Sequence, residues 1–122
     1  INVFGNDYHT HDGTCVRDYI HVEDLSAIHI RCLDFLEKNN RSVILNCGYG
    51  IGFSVIDVIK ETEKIINKKI KIKFKKKRKG DIEKIISNTN KLNKTLKIKF
   101  KKNILKEIIK TSLMWERKNA NK

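Results

Sequence analysis

Proline is absent from this 122-residue chain. Its loss fits a drift toward lysine, isoleucine and asparagine. Cysteine is scarce and unpatterned: Cys15, Cys32 and Cys47 lie far apart, with no C-x-x-C pair. An odd number excludes a complete disulfide framework. The three read as reduced cytosolic thiols, and no zinc site is expected. No uninterrupted apolar run approaches the roughly 20 residues that a membrane helix needs. The opening INVFGND lacks a basic stretch followed by an apolar one, so it is not read as a signal peptide. It also lacks an initial methionine, which gives the expectation of a truncated or excised product. No Ser-His-Asp or Cys-His arrangement is supported by spacing.

What is present suits one α/β domain, or a piece of one. Hydrophobic residues make up 39% of the chain, compatible with a core. The net charge of +13 is unevenly placed. Residues 1–60 carry five Lys and Arg against eight Asp and Glu; residues 61–122 carry 22 against six. A basic half suggests a polyanion. Compositional drift onto solvated lysine faces is the favoured account, since charge runs are usually solvated faces. Aromatics are only 7% of the chain, and single-strand binders stack bases on exposed rings, so a nucleic-acid partner is disfavoured.

The pattern divides the chain clearly. Asp12-Gly13 marks a turn, and Val16 to Val22 reads as extended. Glu23 and Asp24 open a helix to about Lys38, with an apolar stripe of Leu25, Ile28, Leu33 and Leu36 beside Ala27, Cys32 and Phe35. Val43, Ile44 and Leu45 make a short strand that needs a parallel neighbour, and no earlier strand is an obvious one. Ser54 caps a helix to about Ile66, with Asp57 as its capping-box partner. Gly48-x-Gly50-x-Gly52 reads as a tight loop rather than a phosphate cradle, because it is not G-x-G-x-x-G. Residues 69–75 alternate, with Ile70, Ile72 and Phe74 inward. Another extended piece is expected at 82–87, a short helix at 89–96 and a second alternating stretch at 97–100. A last helix spans about 104–117, with Trp115 as its anchor. KIKFKK occurs at 71–76 and again at 97–102, too few copies for a repeat architecture. His9-x-His11 lacks a clear third ligand, so no metal is expected there. His21 and His29 are read as packed or hydrogen-bonded.

Several of these segments, taken together, are similar to one family. Val3-Phe4-Gly5-Asn6-Asp7-Tyr8, Asp12-Gly13-Thr14 and residues 17–25 (RDYIHVEDL) come first. Asn46-Cys47-Gly48-Tyr49-Gly50, Gly52-Phe53-Ser54-Val55 and Arg78-Lys79-Gly80-Asp81 follow in the same order. The chain resembles the C-terminal portion of the UDP-glucose 4-epimerases, in the extended short-chain dehydrogenase/reductase family. The match is close in the first half. In the second it rests on residues 78–81 and the order of elements.

The resemblance implies the C-terminal substrate-binding part of a Rossmann-type α/β fold over residues 1–122, with the nucleotide-binding half missing. Residues 22–47 would supply a helix and strand to that half. It implies UDP-binding residues: Arg17 and Arg78 on the diphosphate, and Asp81 on the ribose. Asn2, Val3 and Phe4 would line the uracil, Tyr19 would support Arg17, and Lys79 and Gly80 would complete the loop. Guanidinium groups suit a diphosphate because they offer several charge-assisted donors in fixed geometry. Ile85 falls where the family shapes the sugar pocket, or simply packs. The implied chemistry is NAD-dependent interconversion of UDP-galactose and UDP-glucose in galactose metabolism. The implied setting is a cytoplasmic enzyme, homodimeric at full length, with NAD bound by the missing half. That chemistry needs a Tyr-x-x-x-Lys pair, and Tyr8, Tyr19 and Tyr49 are followed by Asp12, Glu23 and Phe53 instead. No catalytic residue is therefore expected in this chain, which alone is expected to be inactive. The paired arginine before x-Gly-Asp is Lys77-Arg78 here. Other readings are a fragment of a different nucleotide-sugar epimerase or dehydratase, a basic α/β nucleic-acid module, or a non-functional remnant.

Overall fold

The computed structural model describes residues 1–100, 102 and 104–120. Nine elements follow in order: β1 (Asn2–Phe4), β2 (Val16–Arg17), α1 (Val22–Asn39), β3 (Phe53–Ser54), α2 (Val55–Ile66), β4 (Lys73–Lys75), β5 (Lys84–Ile85), α3 (Asn90–Leu96) and α4 (Leu105–Ala120). They make two small sheets. β1 and β4 pair in parallel, with Phe4 opposite Lys75. β2 is the centre of the other sheet, antiparallel to β3 and parallel to β5.

α1 begins one residue before the expected Glu23, because His21 is its N-cap. The imidazole Nδ1 accepts the Glu23 N–H at 3.1 Å, which puts the ring proton on Nε2, 2.8 Å from Thr111 Oγ1. One buried side chain thus ties the start of α1 to α4. α2 is capped as its sequence suggests. Ser54 Oγ accepts the Asp57 N–H at 2.9 Å, and Asp57 returns the bond to the Ser54 N–H at 2.9 Å. Such a cap is worth about 1 kcal/mol. α1 and α2 both end on asparagines, Asn40 and Asn67, in the left-handed region, where asparagine is tolerated better than most residues. The core gathers Val3, Cys15, Val16, Ile28, Ile59, Leu92, Leu105 and Ile109. All three cysteines are free thiols.

Five expectations need correcting. Val43, Ile44 and Leu45 form no strand, and Ile44 is 86% exposed. A parallel strand needs a neighbour on its edge, and the described residues provide none. The α1 stripe is half bare for the same reason: Ile28 is buried, while Leu33 and Leu36 are exposed. Of residues 69–75 only the last three pair, and Phe74 is exposed rather than inward. Residues 97–100 form no strand, since Lys97 turns left-handed at the end of α3 and diverts the chain. The second KIKFKK includes Lys101, outside the described residues. Trp115 does not anchor α4; it is 63% exposed, and Leu105 and Ile109 do the packing.

Candidate nucleotide-binding site

The β1–β4 pairing decides where the basic loop goes. Gly5 N–H donates to the Lys75 carbonyl at 2.9 Å, so the chain leaves both strands together. The next residues after β4 then fold over the next residues after β1. Arg78 lies over the Phe4 ring, its Cζ 4.5 Å from the centroid. Its Nε is 3.2 Å from Asp81 Oδ2. Phe4, Arg78 and Asp81 therefore form one cluster: an aromatic face, a guanidinium and a carboxylate. Gly80 takes φ +85°, and nothing lies within 4 Å of where a Cβ would sit. The backbone needs glycine there; the space does not. Lys79 is exposed beside it.

Arg17 belongs to the other sheet, opposite Ile85 in the β2–β5 register. Its Nη1 donates to its own Val16 carbonyl at 2.8 Å. Tyr19 is half-buried next to it; burial pushes its phenol up, and the Arg17 charge opposes that. The segment after Asp81 links the two groups. Val16 N–H donates to the Glu83 carbonyl at 2.8 Å, and His9 N–H to the Glu83 carboxylate at 3.3 Å. Arg17 and Arg78 are thus set on adjoining pieces but held by separate partners. Asn2 is exposed at the start of β1. Val3 is only 2% exposed, so its side chain belongs to the core and only its main chain is offered. Ile85 is 48% exposed. An open cavity of about 580 Å³ between the start of α1 and α4 is lined by none of these residues.

The glycine loop has an occupant of its own. Asp18 accepts N–H bonds from Tyr49 (3.1 Å), Gly50 (2.9 Å) and Ser87 (3.2 Å). A Cβ on Gly48 would collide with Asp18 and Ser87. Tyr49 Oη donates to buried Asp24 at 2.6 Å and accepts the His21 N–H at 3.1 Å. Burial and Asp24 both push the Tyr49 phenol up, so it stays protonated. This loop is structural. Of these roles, His21 could be anticipated from its place before a helix, but Asp18 could not.

His11 does not pair with His9 in this arrangement. It joins Asp12 and Asp57, with Nε2 3.4 Å and 3.2 Å from their carboxylates. Their ligand atoms lie within 4.8 Å of one another and could hold a divalent ion. Both carboxylates are already engaged, Asp12 with Thr14 and Ser54 and Asp57 with the cap of α2.

No protein-family model matches the chain. Individual proteins do. It is 40% identical to a UDP-glucose 4-epimerase from Pasteurella multocida, over 98% of this chain and 35% of that protein. A UDP-glucose 4-epimerase from Stenotrophomonas maltophila, solved with NAD and formylated UDP-arabinopyranose, superposes with a TM-score of 0.94 at 35% identity. That superposition covers 99% of this chain and 36% of the other. The chain matches the C-terminal portion of the UDP-glucose 4-epimerases. Its fold is the corresponding part of an extended short-chain dehydrogenase/reductase. It spans about a third of the length of the curated epimerases it matches. A further epimerase, from Bifidobacterium longum in complex with NAD+ and UDP, has a TM-score of 0.87 at 37% identity, covering 98% of this chain and 35% of that one. The described residues include no helix long and apolar enough to cross a membrane.

Proposed function

We propose that this chain supplies the UDP-sugar-binding side of an NAD-dependent UDP-glucose 4-epimerase. The observation that carries the reading is the Phe4–Arg78–Asp81 cluster. It joins a flat apolar face, a guanidinium and a carboxylate within one short loop. These suit, in turn, a base, a diphosphate and ribose hydroxyls. Arg17 adds the second guanidinium, with Tyr19 beside it. Asn2 and Val3 offer main chain, Lys79 and Gly80 shape the loop, and Ile85 borders the sugar.

NAD supplies hydride transfer to this family's chemistry. The residues present do not fit it: the one glycine-rich loop spends its N–H groups on Asp18. NAD would be held by the part of the relatives that this chain does not span. Nor is there a Tyr-x-x-x-Lys pair for proton transfer. The chain's own contribution is to bind and orient the nucleotide. Residues 22–47 would dock on the nucleotide-binding half, giving the segment at 43–45 its missing strand neighbour and covering Leu33 and Ile44. The intact protein on this reading is a cytoplasmic homodimer.

Titration calorimetry of UDP into the chain tests the reading. Measurable binding, weakened by Asp81→Asn, is expected. Binding that is absent, or unchanged by Asp81→Asn, overturns it.

A further inference from the structure

We propose that Lys77 and Tyr8 form a brace that positions Arg78 for the nucleotide diphosphate. The proposal rests on the UDP-binding reading above. Lys77 and Arg78 are adjacent, and each lies over an aromatic ring from the segment that begins at β1. Arg78 covers Phe4, and Lys77 Nζ sits 4.3 Å from the Tyr8 ring centroid. Lys77 has two more ties. Its ammonium donates to the Asp7 carbonyl at 3.1 Å and pairs with the Asp7 carboxylate at 3.2 Å. Its side chain is 39% exposed, whereas that of Lys69 is 92% exposed. In this lysine-rich stretch both ammonium groups are paired, Lys69 with Glu63 at 2.9 Å, but Lys77 is the more covered of the two.

The other half of the brace is fixed from below. Tyr8 is 8% exposed, and its N–H donates to the Gly13 carbonyl at 3.0 Å. Gly5, at φ +85°, lets the ring and the Lys77 stem close on the backbone; a Cβ there would strike Tyr8 and come within 2.9 Å of Lys77 Cγ. Burial, with Cys15 and then Asp81 and Asp7 nearby, pushes the Tyr8 phenol up to about 12. The ring therefore stays neutral, and its face meets the ammonium. With Lys77 pinned, the next residue has little choice of direction. Arg78 is 65% exposed, and among the described residues Phe4 and Asp81 steady its side chain. Lys77 acts here through Arg78, so its role is positioning.

Calorimetry with UDP, on the chain and its variants, tests the brace. Lys77→Gln keeps the stem and loses the charge. It should weaken UDP about two- to fivefold, the size of one exposed cation–π contact. Tyr8→Leu should match it, the two together should be no worse than either, and Lys77→Arg should restore binding. Lys73→Gln removes the same charge outside the brace and should leave UDP binding unchanged. In an Arg78→Ala background, Lys77→Gln should have no further effect. A full loss there means that Lys77 meets the ligand by its own charge, and the brace is wrong. If the unaltered chain does not bind UDP, the binding reading fails by itself. The brace is then judged by the NMR signal of Arg78 Nε–H, which the Phe4 ring shifts. Lys77→Gln should move that signal toward the value of a free arginine; an unmoved signal overturns the proposal.

Discussion

Asp18 and Gly50 are joined by a 2.9 Å hydrogen bond, carboxylate to backbone N–H, across 32 positions of sequence. That bond settles what the glycine loop is for. Backbone N–H groups clustered in a tight turn make an anion site. Here the anion is part of the chain.

Asp18→Ala should therefore unfold the loop's anchor. Three N–H groups lose a charged acceptor, and each such bond is worth about 1.5–3 kcal/mol at most. We expect a loss of about 3 kcal/mol in urea denaturation, with Asp18→Asn losing less because one oxygen remains. Sulfate should restore part of the Asp18→Ala loss by filling the vacated nest. An Asp18→Ala protein as stable as its parent would show that the loop needs no anion.

Acid should act through Asp12. Burial would raise its pKa, but bonds from Ser54 and Thr14, with His11 nearby, outweigh that and hold it below 3.8. A carboxyl depressed in the fold stabilises above its unfolded pKa. That contribution disappears as pH falls through the lower, folded value. Thermal melts should lose stability progressively below about pH 4, and Asp12→Asn should be less stable at neutral pH with a flatter acid limb. Parallel pH curves for the two proteins would remove Asp12 from the account.

The face left bare by α1 gives a sign that depends on context. Ile44 is 86% exposed and Leu33 60% exposed. In the chain alone, Ile44→Asp should cost little, within about 0.5 kcal/mol, and reduce self-association in sedimentation. In a chimera carrying the remaining two thirds of a related epimerase, the same change should destabilise by about 2 kcal/mol or more, since it would bury a charge. Equal effects in both settings would mean that this face stays in solvent.

That face also marks the limit of what the sequence discloses. α2 was legible because its signals are local: Ser54 and Asp57 lie three residues apart and cap the same turn. The α1 boundary was nearly legible, and the His21 cap moved it by one residue. Strands were not, because a strand is a pairing. β4 finds β1 some 70 positions earlier, and alternation at 69–75 says nothing about which three residues pair. Val43, Ile44 and Leu45 have the composition of a strand and no strand partner among the described residues. The site divides in the same way. Arg17, Arg78 and Asp81 are proposed from ordered motifs, whereas the stack of Arg78 on Phe4 depends on the β1–β4 register.

Arg17 and Arg78 should not be equivalent. They are held by different partners, Arg17 by its own strand and Arg78 by Phe4 and Asp81. A hydrogen bond to a charged group contributes about 1.5–3 kcal/mol, or roughly a 10- to 150-fold change in affinity. Arg78 must give up its exposed pairing with Asp81 to serve a ligand, and exposed pairs are worth about 0–1 kcal/mol, so little is lost. Arg78→Ala also removes the cation beside Asp81, which on the proposed reading would weaken its contact with the ribose as well. In the full-length protein, Arg78→Ala should therefore reduce UDP affinity more than Arg17→Ala, each within that range. On the proposed reading the double variant should depart from additivity, because both groups would serve one diphosphate. Lys73, exposed on β4, is the control. Lys73→Ala should leave UDP binding unchanged. A nucleic-acid role predicts the reverse order, with Lys73 mattering for an oligonucleotide and binding falling steeply with salt. Titrating UDP and a short oligonucleotide against the three single variants separates the two. Undiminished UDP affinity in Arg78→Ala, with oligonucleotide binding lost in Lys73→Ala, would move the function from the loop after β4 to the strand itself.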